Sequence, residues 1–270
     1  MDLSKVKLVV SDMDGTLLNP NSEVSSRFFS QFNALREQNI HFIAASGRQY
    51  QSILDKLHPI KDQISIIAEN GGIMKFNDQE HILLKLTSQN VKNAVETLRP
   101  IEGAYIVLCG RKSAYIETND QDFIDRFRKY YKEYEIVEDL TKVNDDDFLK
   151  IAVFHHVSSE NYIWPTAKTL NKDLQVIVSG ENWLDISHAE ANKGYALTIL
   201  QKELGVTTEE TMVFGDYNND LKMLELAYFS YAMENAHDDV KKTARFSTKS
   251  NREEGVESIL AELLKSKQKI

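Results

Sequence analysis

The stretch KLVVSDMDGTLL, residues 7–18, decides the fold, because it joins a short apolar run to two closely spaced acids. The run is rich in β-branched residues, which predicts a buried strand. Ligands of parallel α/β sheets bind at the carboxyl ends of strands, and residues i and i+2 of a strand point the same way. Asp12 and Asp14 are therefore predicted to face one pocket, where their repulsion favours a bound cation. Gly15 lets the chain turn sharply, and Thr16 can hydrogen-bond back to the loop.

The sequence around this stretch alternates between strand and helix patterns. Residues 23–38, for example, place Phe28, Phe32 and Leu35 on one helical face. Such alternation is typical of a parallel sheet covered by helices, so we predict an α/β fold with a Rossmann-like core and helices on both faces. The predicted strands of this core lie at 6–10, 41–45, 64–68, 212–215 and 229–233, with a further strand pair at 73–76 and 81–86. Its predicted helices lie at 23–38, 50–57, 194–204, 220–227, 238–243 and 256–264.

The middle of the chain has a different pattern, in which hairpins are mixed with helices. This mixture predicts an inserted α+β cap domain at residues 83–184, so that the core consists of residues 1–82 and 185–270. The side chains that select the substrate are expected on the insert. The tyrosines at 130, 131 and 134 and both tryptophans are expected to serve packing rather than ligand stacking. The predicted strands of the insert lie at 105–109, 114–117, 149–154 and 174–178, and its helices at 90–98, at 121–134 and before residue 170.

Composition and charge exclude several classes of protein. The 270 residues are 42% hydrophobic and 27% charged, which excludes intrinsic disorder. A net charge of −9 disfavours binding to nucleic acid or to anionic membranes. Cys109 is the only cysteine and is expected to be a buried thiol in a reducing compartment. With neither a signal peptide nor a membrane span in view, we expect a cytoplasmic protein, and no obligate protein partner is evident.

Four motifs in order resemble those of the haloacid dehalogenase superfamily of phosphotransferases. DMDGTLL resembles the first motif, and AASGR at 44–48 places Ser46 as the second. NKGYAL at 192–197 places Lys193 as the third, and FGDYNND at 214–220 provides the acidic fourth. The chain is most similar to the Cof-like subgroup, whose α/β cap lies between motifs two and three. ENGG at 69–72 and MENAH at 233–237 also resemble stretches of that subgroup, although it often has glycine where Glu234 stands.

The resemblance implies a role for each motif residue. Asp12 is expected to be the nucleophile that forms an aspartyl-phosphate, and Asp14 the general acid and base. Carboxylates together with water and substrate oxygens suit Mg²⁺, which prefers octahedral oxygen coordination. The expected metal ligands are Asp12, Asp14, Asp216 and Asp220. The expected phosphate-binding residues are Met13, Ser46, Gly47, Lys193 and Asn219, and the expected substrate contacts are Arg48 and Thr16.

The function predicted from these residues is a Mg²⁺-dependent phosphatase that acts on small phosphorylated metabolites. Sugar phosphates, nucleotides and cofactor phosphates all remain open as substrates. A phosphomutase would use the same nucleophile, so the motifs alone leave that alternative open. A noncatalytic phosphometabolite-binding protein is disfavoured because every catalytic position is intact. A response-regulator receiver domain is about half this length and would lack the insert.

Overall fold

The computed structural model describes residues 2–268, which form two sheets and the helices that cover them. In chain order the strands are β1 (Leu8–Asp12), β2 (His41–Ala45), β3 (Ser65–Ala68), β4 (Ile73–Phe76), β5 (Gln79–Ile82), β6 (Ala104–Gly110), β7 (Ala114–Ile116), β8 (Tyr134–Ile136), β9 (Phe148–His155), β10 (Leu174–Val178), β11 (Trp183–His188), β12 (Thr211–Gly215), β13 (Phe229–Ala232) and β14 (Phe246–Ser247). The α-helices are α1 (Ser26–Glu37), α2 (Tyr50–Lys56), α3 (Ser88–Leu98), α4 (Gln121–Phe127), α5 (Ser159–Tyr162), α6 (Trp164–Ala167), α7 (Lys193–Leu204), α8 (Leu221–Leu224), α9 (Asp238–Thr243) and α10 (Gly255–Lys267).

The first sheet is the predicted parallel core. Its eight strands lie in the order β14-β13-β12-β1-β2-β3-β4-β5. The strands from β14 to β3 are parallel, and β4 and β5 form an antiparallel edge. The central strand β1 is buried along its whole length, as a strand covered on both faces must be. The carboxyl ends of β1, β2 and β12 therefore meet at one edge of the sheet, where the sequence places its motifs.

Helices cover this sheet with the apolar faces that the sequence predicts. Helix α1 begins after Ser25, whose Oγ accepts a hydrogen bond of 3.0 Å from the backbone N–H of Phe28. Its buried residues are Phe28, Phe32 and Leu35, which confirms the predicted face. Helix α1 contacts α10, and α7 contacts α8. In the part of the chain that the structure describes, no helix has the length and apolar character needed to cross a bilayer.

The second sheet is built from the inserted segment, hereafter the cap. Its six strands lie in the order β10-β11-β9-β6-β7-β8, and every pair except β7–β8 is antiparallel. The insert begins after β5 at Ile82, but the predicted end at residue 184 is wrong. Strand β11 pairs with β9 along Trp183–Ser187, so it belongs to the cap sheet. This strand was not predicted from the sequence, because Asp185, which is buried, interrupts its apolar pattern.

The cap helix predicted at 121–134 is shorter than expected. Helix α4 ends at Phe127, and the chain turns before β8 begins at Tyr134. In this turn the carbonyl of Lys129 accepts a hydrogen bond of 2.6 Å from Arg48 of the core, and the Arg48 guanidinium lies 4.8 Å from the centre of the Tyr130 ring. The helix therefore ends close to a contact with a distant part of the chain. Such a contact cannot be recognised from the local spacing of apolar residues.

Candidate active site

Three carboxylates from two neighbouring strand ends form an acidic cluster. Asp12 ends β1, and Asp216 and Asp220 follow β12. One oxygen from each of the three lies within 4.8 Å of the other two. The spacing follows from the sheet, because β1 and β12 are adjacent and parallel. The structure thus brings together residues that are about 200 positions apart in sequence, as the motif order predicts.

A fully buried lysine lies against this cluster. The Nζ of Lys193, the first residue of α7, is 2.5 Å from Asp12 Oδ1 and 2.7 Å from Asp220 Oδ1. Burial, together with the charges of Asp220 and Asp14, raises the pKa of Asp12 to about 7 although Lys193 acts in the opposite direction. Burial and the charges of Asp12 and Asp220 raise the pKa of Asp216 well above its usual range. The cluster therefore has more negative charge than Lys193 alone can balance.

This arrangement fits a hard divalent cation. Asp12 Oδ2 is buried and has no hydrogen-bond partner within residues 2–268, which leaves one oxygen free to serve as a ligand. All the donors are carboxylate oxygens, the ligand type that Mg²⁺ and Ca²⁺ prefer. A cation here would offset the burial and the repulsion that together raise the pKa values of Asp12 and Asp216. The fourth predicted ligand, Asp14, lies outside this group because its carboxylate is paired elsewhere.

The loop after β1 is shaped around the cluster. Gly15 has φ +77°, in the left-handed region that favours glycine. Thr16, a predicted substrate contact, donates a hydrogen bond of 3.0 Å from its Oγ1 to Asp216 Oδ1 and so holds a member of the cluster. Asp220 Oδ2 accepts hydrogen bonds from the backbone N–H groups of Asp216 and Tyr217. The carboxylates are therefore oriented by their own loops before any ligand binds.

Substituting Gly15 with alanine is expected to lower kcat/KM by about a hundredfold, because a displaced catalytic group costs roughly that factor. A Cβ at this position would overlap Asp216 Oδ2 and push the carboxylate out of the cluster. Gly205→Ala is a matched control, since Gly205 also has positive φ (+63°) but nothing lies within 4 Å of its Cβ position. Steady-state kinetics of both variants check the prediction. Equal activity losses would mean that backbone strain, rather than displacement of Asp216, is responsible.

Asp14 is held by an arginine that also contacts the cap. Arg48 Nη2 and Nε each donate a hydrogen bond of 2.6 Å to one oxygen of Asp14. The same guanidinium donates to Lys129 O of the cap and lies over the Tyr130 ring. Arg48 is 3% exposed although it lines the cavity. It therefore joins the predicted general acid to the cap.

The predicted phosphate-binding groups lie beside the acidic cluster. Ser46 and Gly47, which follow β2, line the same cavity as Asp12 and Asn219. Ser46 Oγ accepts a hydrogen bond of 3.1 Å from the N–H of Arg48. The side chain of Met13 is packed in the hydrophobic core, which leaves only its main chain for contact with a ligand. Lys193 is bonded to the carboxylates, as described above, and does not line the cavity.

A cavity of about 430 Å³ extends from the acidic cluster to the cap. Tyr131 is buried, as the packing role predicted for it requires. Tyr130 and Trp183 also pack, with ring centres 5.6 Å apart, but both are half-buried and line the cavity. The cap residues that line the cavity are Arg126, Lys129, Tyr130, Tyr131, Lys150, Phe154, Ser179, Gly180, Glu181, Asn182, Trp183 and Asp185.

Sequence reasoning missed three polar residues at the junction of core and cap. Lys150 and Asp185 lie on buried cap strands, and Asn70 lies in the turn after β3. All three are buried and hydrogen-bonded or ion-paired with one another or with residues at the site. A sequence signal existed for Asn70, because ENGG resembles a recurring stretch of the Cof-like subgroup. For Lys150 and Asp185 the signal was a charged residue inside an apolar strand, which points to a buried pair.

Comparison with known proteins agrees with the motifs and the fold. A family model described as haloacid dehalogenase-like hydrolase matches residues 9–260. The chain is 32% identical over 266 residues to the 5-amino-6-(5-phospho-D-ribitylamino)uracil phosphatase YbjI of Escherichia coli K12, covering 96% of this chain and 97% of that protein. It is 30% identical over 286 residues to YwtE of Bacillus subtilis 168, also a 5-amino-6-(5-phospho-D-ribitylamino)uracil phosphatase, covering 96% of this chain and 98% of that one.

Solved structures show the same architecture. A crystal structure of a protein from Streptococcus mutans UA159 superposes with a TM-score of 0.89 at 28% sequence identity. The match covers 96% of this chain and 99% of the other. Because it includes nearly all of both chains, core and cap occur together in that protein as they do here.

Proposed function

The chain belongs to the haloacid dehalogenase-like hydrolases and is a phosphatase, and on that premise we propose that it hydrolyses small phosphorylated metabolites with Mg²⁺ through an aspartyl-phosphate. The observation that carries the proposal is the cluster of Asp12, Asp216 and Asp220, of which Asp12 and Asp216 line a cavity that reaches the cap. Phosphoryl transfer needs an in-line nucleophile, a proton donor and positive charge around the transferred group. The chain supplies a candidate for each.

Asp12 is the proposed nucleophile. Lys193 holds one of its oxygens, which fixes the direction of the carboxylate before the substrate binds. An oxygen of Asp12 forms the new bond to phosphorus while the bond between phosphorus and the leaving-group oxygen breaks. A water molecule then attacks the phosphorus of the aspartyl-phosphate, which releases inorganic phosphate and restores the carboxylate.

Asp14 is the proposed proton donor and acceptor. It gives a proton to the departing alkoxide in the first step and removes one from the attacking water in the second. Both of its oxygens accept hydrogen bonds from Arg48 in this structure. Each carboxylate oxygen can accept a second hydrogen bond, so a leaving group that contacts Asp14 would lie beside Arg48.

The remaining groups hold the phosphate and balance its charge. Ser46, the backbone amide of Gly47 and the carboxamide of Asn219 can donate hydrogen bonds to the phosphate oxygens. Asp12, Asp216 and Asp220 would hold Mg²⁺. When bound, Mg²⁺ would supply positive charge that attracts the phosphate to an acidic protein and stabilises its developing charge.

The cap lining favours a leaving group that contains a flat ring. Tyr130 and Trp183 offer half-buried aromatic surface, which binds planar rings by stacking. The carboxylate of Glu181 and the hydroxyl of Ser179 lie nearby as hydrogen-bonding groups. YbjI and YwtE are both named as phosphatases of a phosphorylated aminopyrimidine with a ribityl chain, and that class of substrate fits a cavity with these groups. We therefore rank phosphates of ring-bearing cofactor precursors and nucleotides above simple sugar phosphates.

Phosphate release from a panel of metabolites tests the proposal. We expect inorganic phosphate to appear with Mg²⁺ and to fall to background with excess chelator. Ring-bearing phosphates, such as nucleoside monophosphates and riboflavin 5′-phosphate, should have a higher kcat/KM than ribitol 5-phosphate or glucose 6-phosphate. Substrate that disappears without an equal amount of inorganic phosphate would indicate a mutase instead. Full activity in chelator would contradict the proposed role of the metal.

A further inference from the structure

A second buried charge cluster joins the cap to the core beside residues 46–48, hereafter the phosphate-binding loop, which carries the proposed phosphate-binding groups Ser46 and Gly47. Lys150 of β9 is 2% exposed, and its Nζ lies 3.2 Å from Glu69 Oε2 and 3.6 Å from Asp185 Oδ2. Burial acts to lower the pKa of Lys150, but the charges of Asp185 and Glu69 raise it above its ordinary value. Lys150 therefore remains positively charged in the interior, although it has no role in the proposed reaction.

Lys150 contacts the phosphate-binding loop directly. Its Nζ donates a hydrogen bond of 2.5 Å to the carbonyl of Gly47. The N–H at the other side of the same peptide unit belongs to Arg48, and it donates to Ser46 Oγ. The peptide is thus held at both ends. Because Ser46 Oγ accepts this bond, its own O–H proton stays available for a phosphate oxygen.

Asn70 extends the cluster to the other side of the phosphate site. Its Nδ2 donates a hydrogen bond of 2.6 Å to Asp185 Oδ2, and its Oδ1 accepts one of 3.0 Å from Asn219 Nδ2. A Cβ on Gly47 would lie 3.0 Å from Asn70 Oδ1, so this carboxamide also lies against the loop. Two proposed phosphate-binding groups, Gly47 and Asn219, are therefore connected through one buried side chain.

The turn that carries Glu69 and Asn70 has an unusual backbone. Their φ angles are 50° and 52°, in the left-handed region that residues with a Cβ rarely adopt. Their N–H groups donate to the carbonyls of Arg48 and Ser46, which fastens the turn onto the phosphate-binding loop. Strain of this kind persists where the surroundings enforce it, and it is concentrated at functional sites. Here the strained turn directs the buried side chains of Glu69 and Asn70 toward Lys150 and Asp185 of the cap.

We propose that Asn70, Asp185 and Lys150 are positioning residues through which the cap orients the phosphate-binding groups of the core. Lys150 sets the Ser46–Arg48 loop by way of the Gly47 carbonyl. Asp185 orients Asn70, and Asn70 in turn orients the carboxamide of Asn219. This inference rests on the proposed function, because it assigns phosphate to Ser46, Gly47 and Asn219. It implies that the cap contributes to phosphate affinity without touching the phosphate.

Binding of orthophosphate to the full chain in saturating Mg²⁺, followed by calorimetry, tests the proposal without relying on turnover. Asn70→Ala should weaken the affinity for orthophosphate about tenfold, the scale of one lost hydrogen bond to a charged group. Asp185→Ala should have a similar effect. Asp185→Asn should restore most of the affinity, since its oxygen can still accept from Asn70. Thermal denaturation of each variant establishes that it is folded at the temperature of the titration.

Gln49→Ala is the matched control, because it also removes hydrogen bonds between the core and the cap. Gln49 is buried and hydrogen-bonds to the backbone of Lys132 and Glu133 in the cap, but it does not line the cavity. Its removal should change orthophosphate affinity by less than about twofold. Equal losses in Gln49→Ala and Asn70→Ala would overturn the positioning role, as would full affinity in Asn70→Ala. If the unaltered protein binds no orthophosphate in Mg²⁺, the proposed function fails as well.

Discussion

Replacing Asp12 with asparagine is expected to lower kcat by at least about a thousandfold, the scale seen when a catalytic nucleophile is removed. Asparagine has the same shape and can still accept a hydrogen bond from Lys193, but its amide cannot form the covalent intermediate. The loss should fall on kcat, since the groups that bind the phosphate remain in place. The measurement is the rate at which the enzyme releases inorganic phosphate from the preferred substrate of the panel.

The same variant should not lose stability. Burial and the acidic neighbours Asp220 and Asp14 raise the pKa of Asp12, so its charged form is costly without a metal. The neutral asparagine removes that cost, and we expect the melting temperature of the metal-free protein to stay the same or rise. Asp55→Asn, at an exposed site, is the control and should keep full activity. Hydrolysis by Asp12→Asn at the original rate would show that another group is the nucleophile.

Replacing Lys193 with methionine is expected to cost about 3–5 kcal/mol of folding free energy, because it removes one partner of a buried ion pair. Lys193 is fully buried, and its ammonium is bonded to Asp12 and Asp220. Without it the three carboxylates would repel each other with no compensating protein charge. Urea denaturation of the metal-free protein measures the loss. Saturating Mg²⁺ should recover part of it, because the cation replaces the missing positive charge.

Lys202→Met provides the control on the same helix. Lys202 is exposed near the end of α7, so the substitution should change the free energy of unfolding by less than about 0.5 kcal/mol. A small loss in Lys193→Met, comparable with that of the control, would contradict the ion pairs seen here. If Mg²⁺ stabilised the variant no more than the unaltered protein, the lysine would not be balancing the charge of the acidic cluster.

The parallel core could be predicted from the sequence because its signals are local. The β-branched run before Asp12 and the spaced apolar residues of α1 each need only a few neighbouring positions to be recognised. The motif residues could be placed too, since each one follows a strand or opens a helix, and adjacent parallel strands carry them to one edge. The order of the strands in the sheet then determines which motif residues lie close together.

The features that the sequence did not predict depend on partners far along the chain. A charged residue such as Lys150 looks out of place in an apolar strand until Glu69 and Asp185 are seen beside it. Arg48 likewise binds Asp14 and the carbonyl of Lys129, which lie 34 and 81 positions away in the sequence. The Lys150–Glu69 and Arg48–Lys129 contacts follow from how the cap sits on the core, and that arrangement leaves no periodic pattern in the sequence.

The strand order also has a consequence for synthesis of the protein. β1 is made first but lies between β2 and β12, and residues 211–215 of β12 come some 200 positions later. The ribosome must therefore complete the entire cap before the central strand has both neighbours. Until then one edge of β1 offers unpaired backbone groups to other chains, the kind of surface that promotes aggregation. The nascent chain therefore cannot bring Asp12 together with Asp216 and Asp220 until the residues that follow the cap have been made.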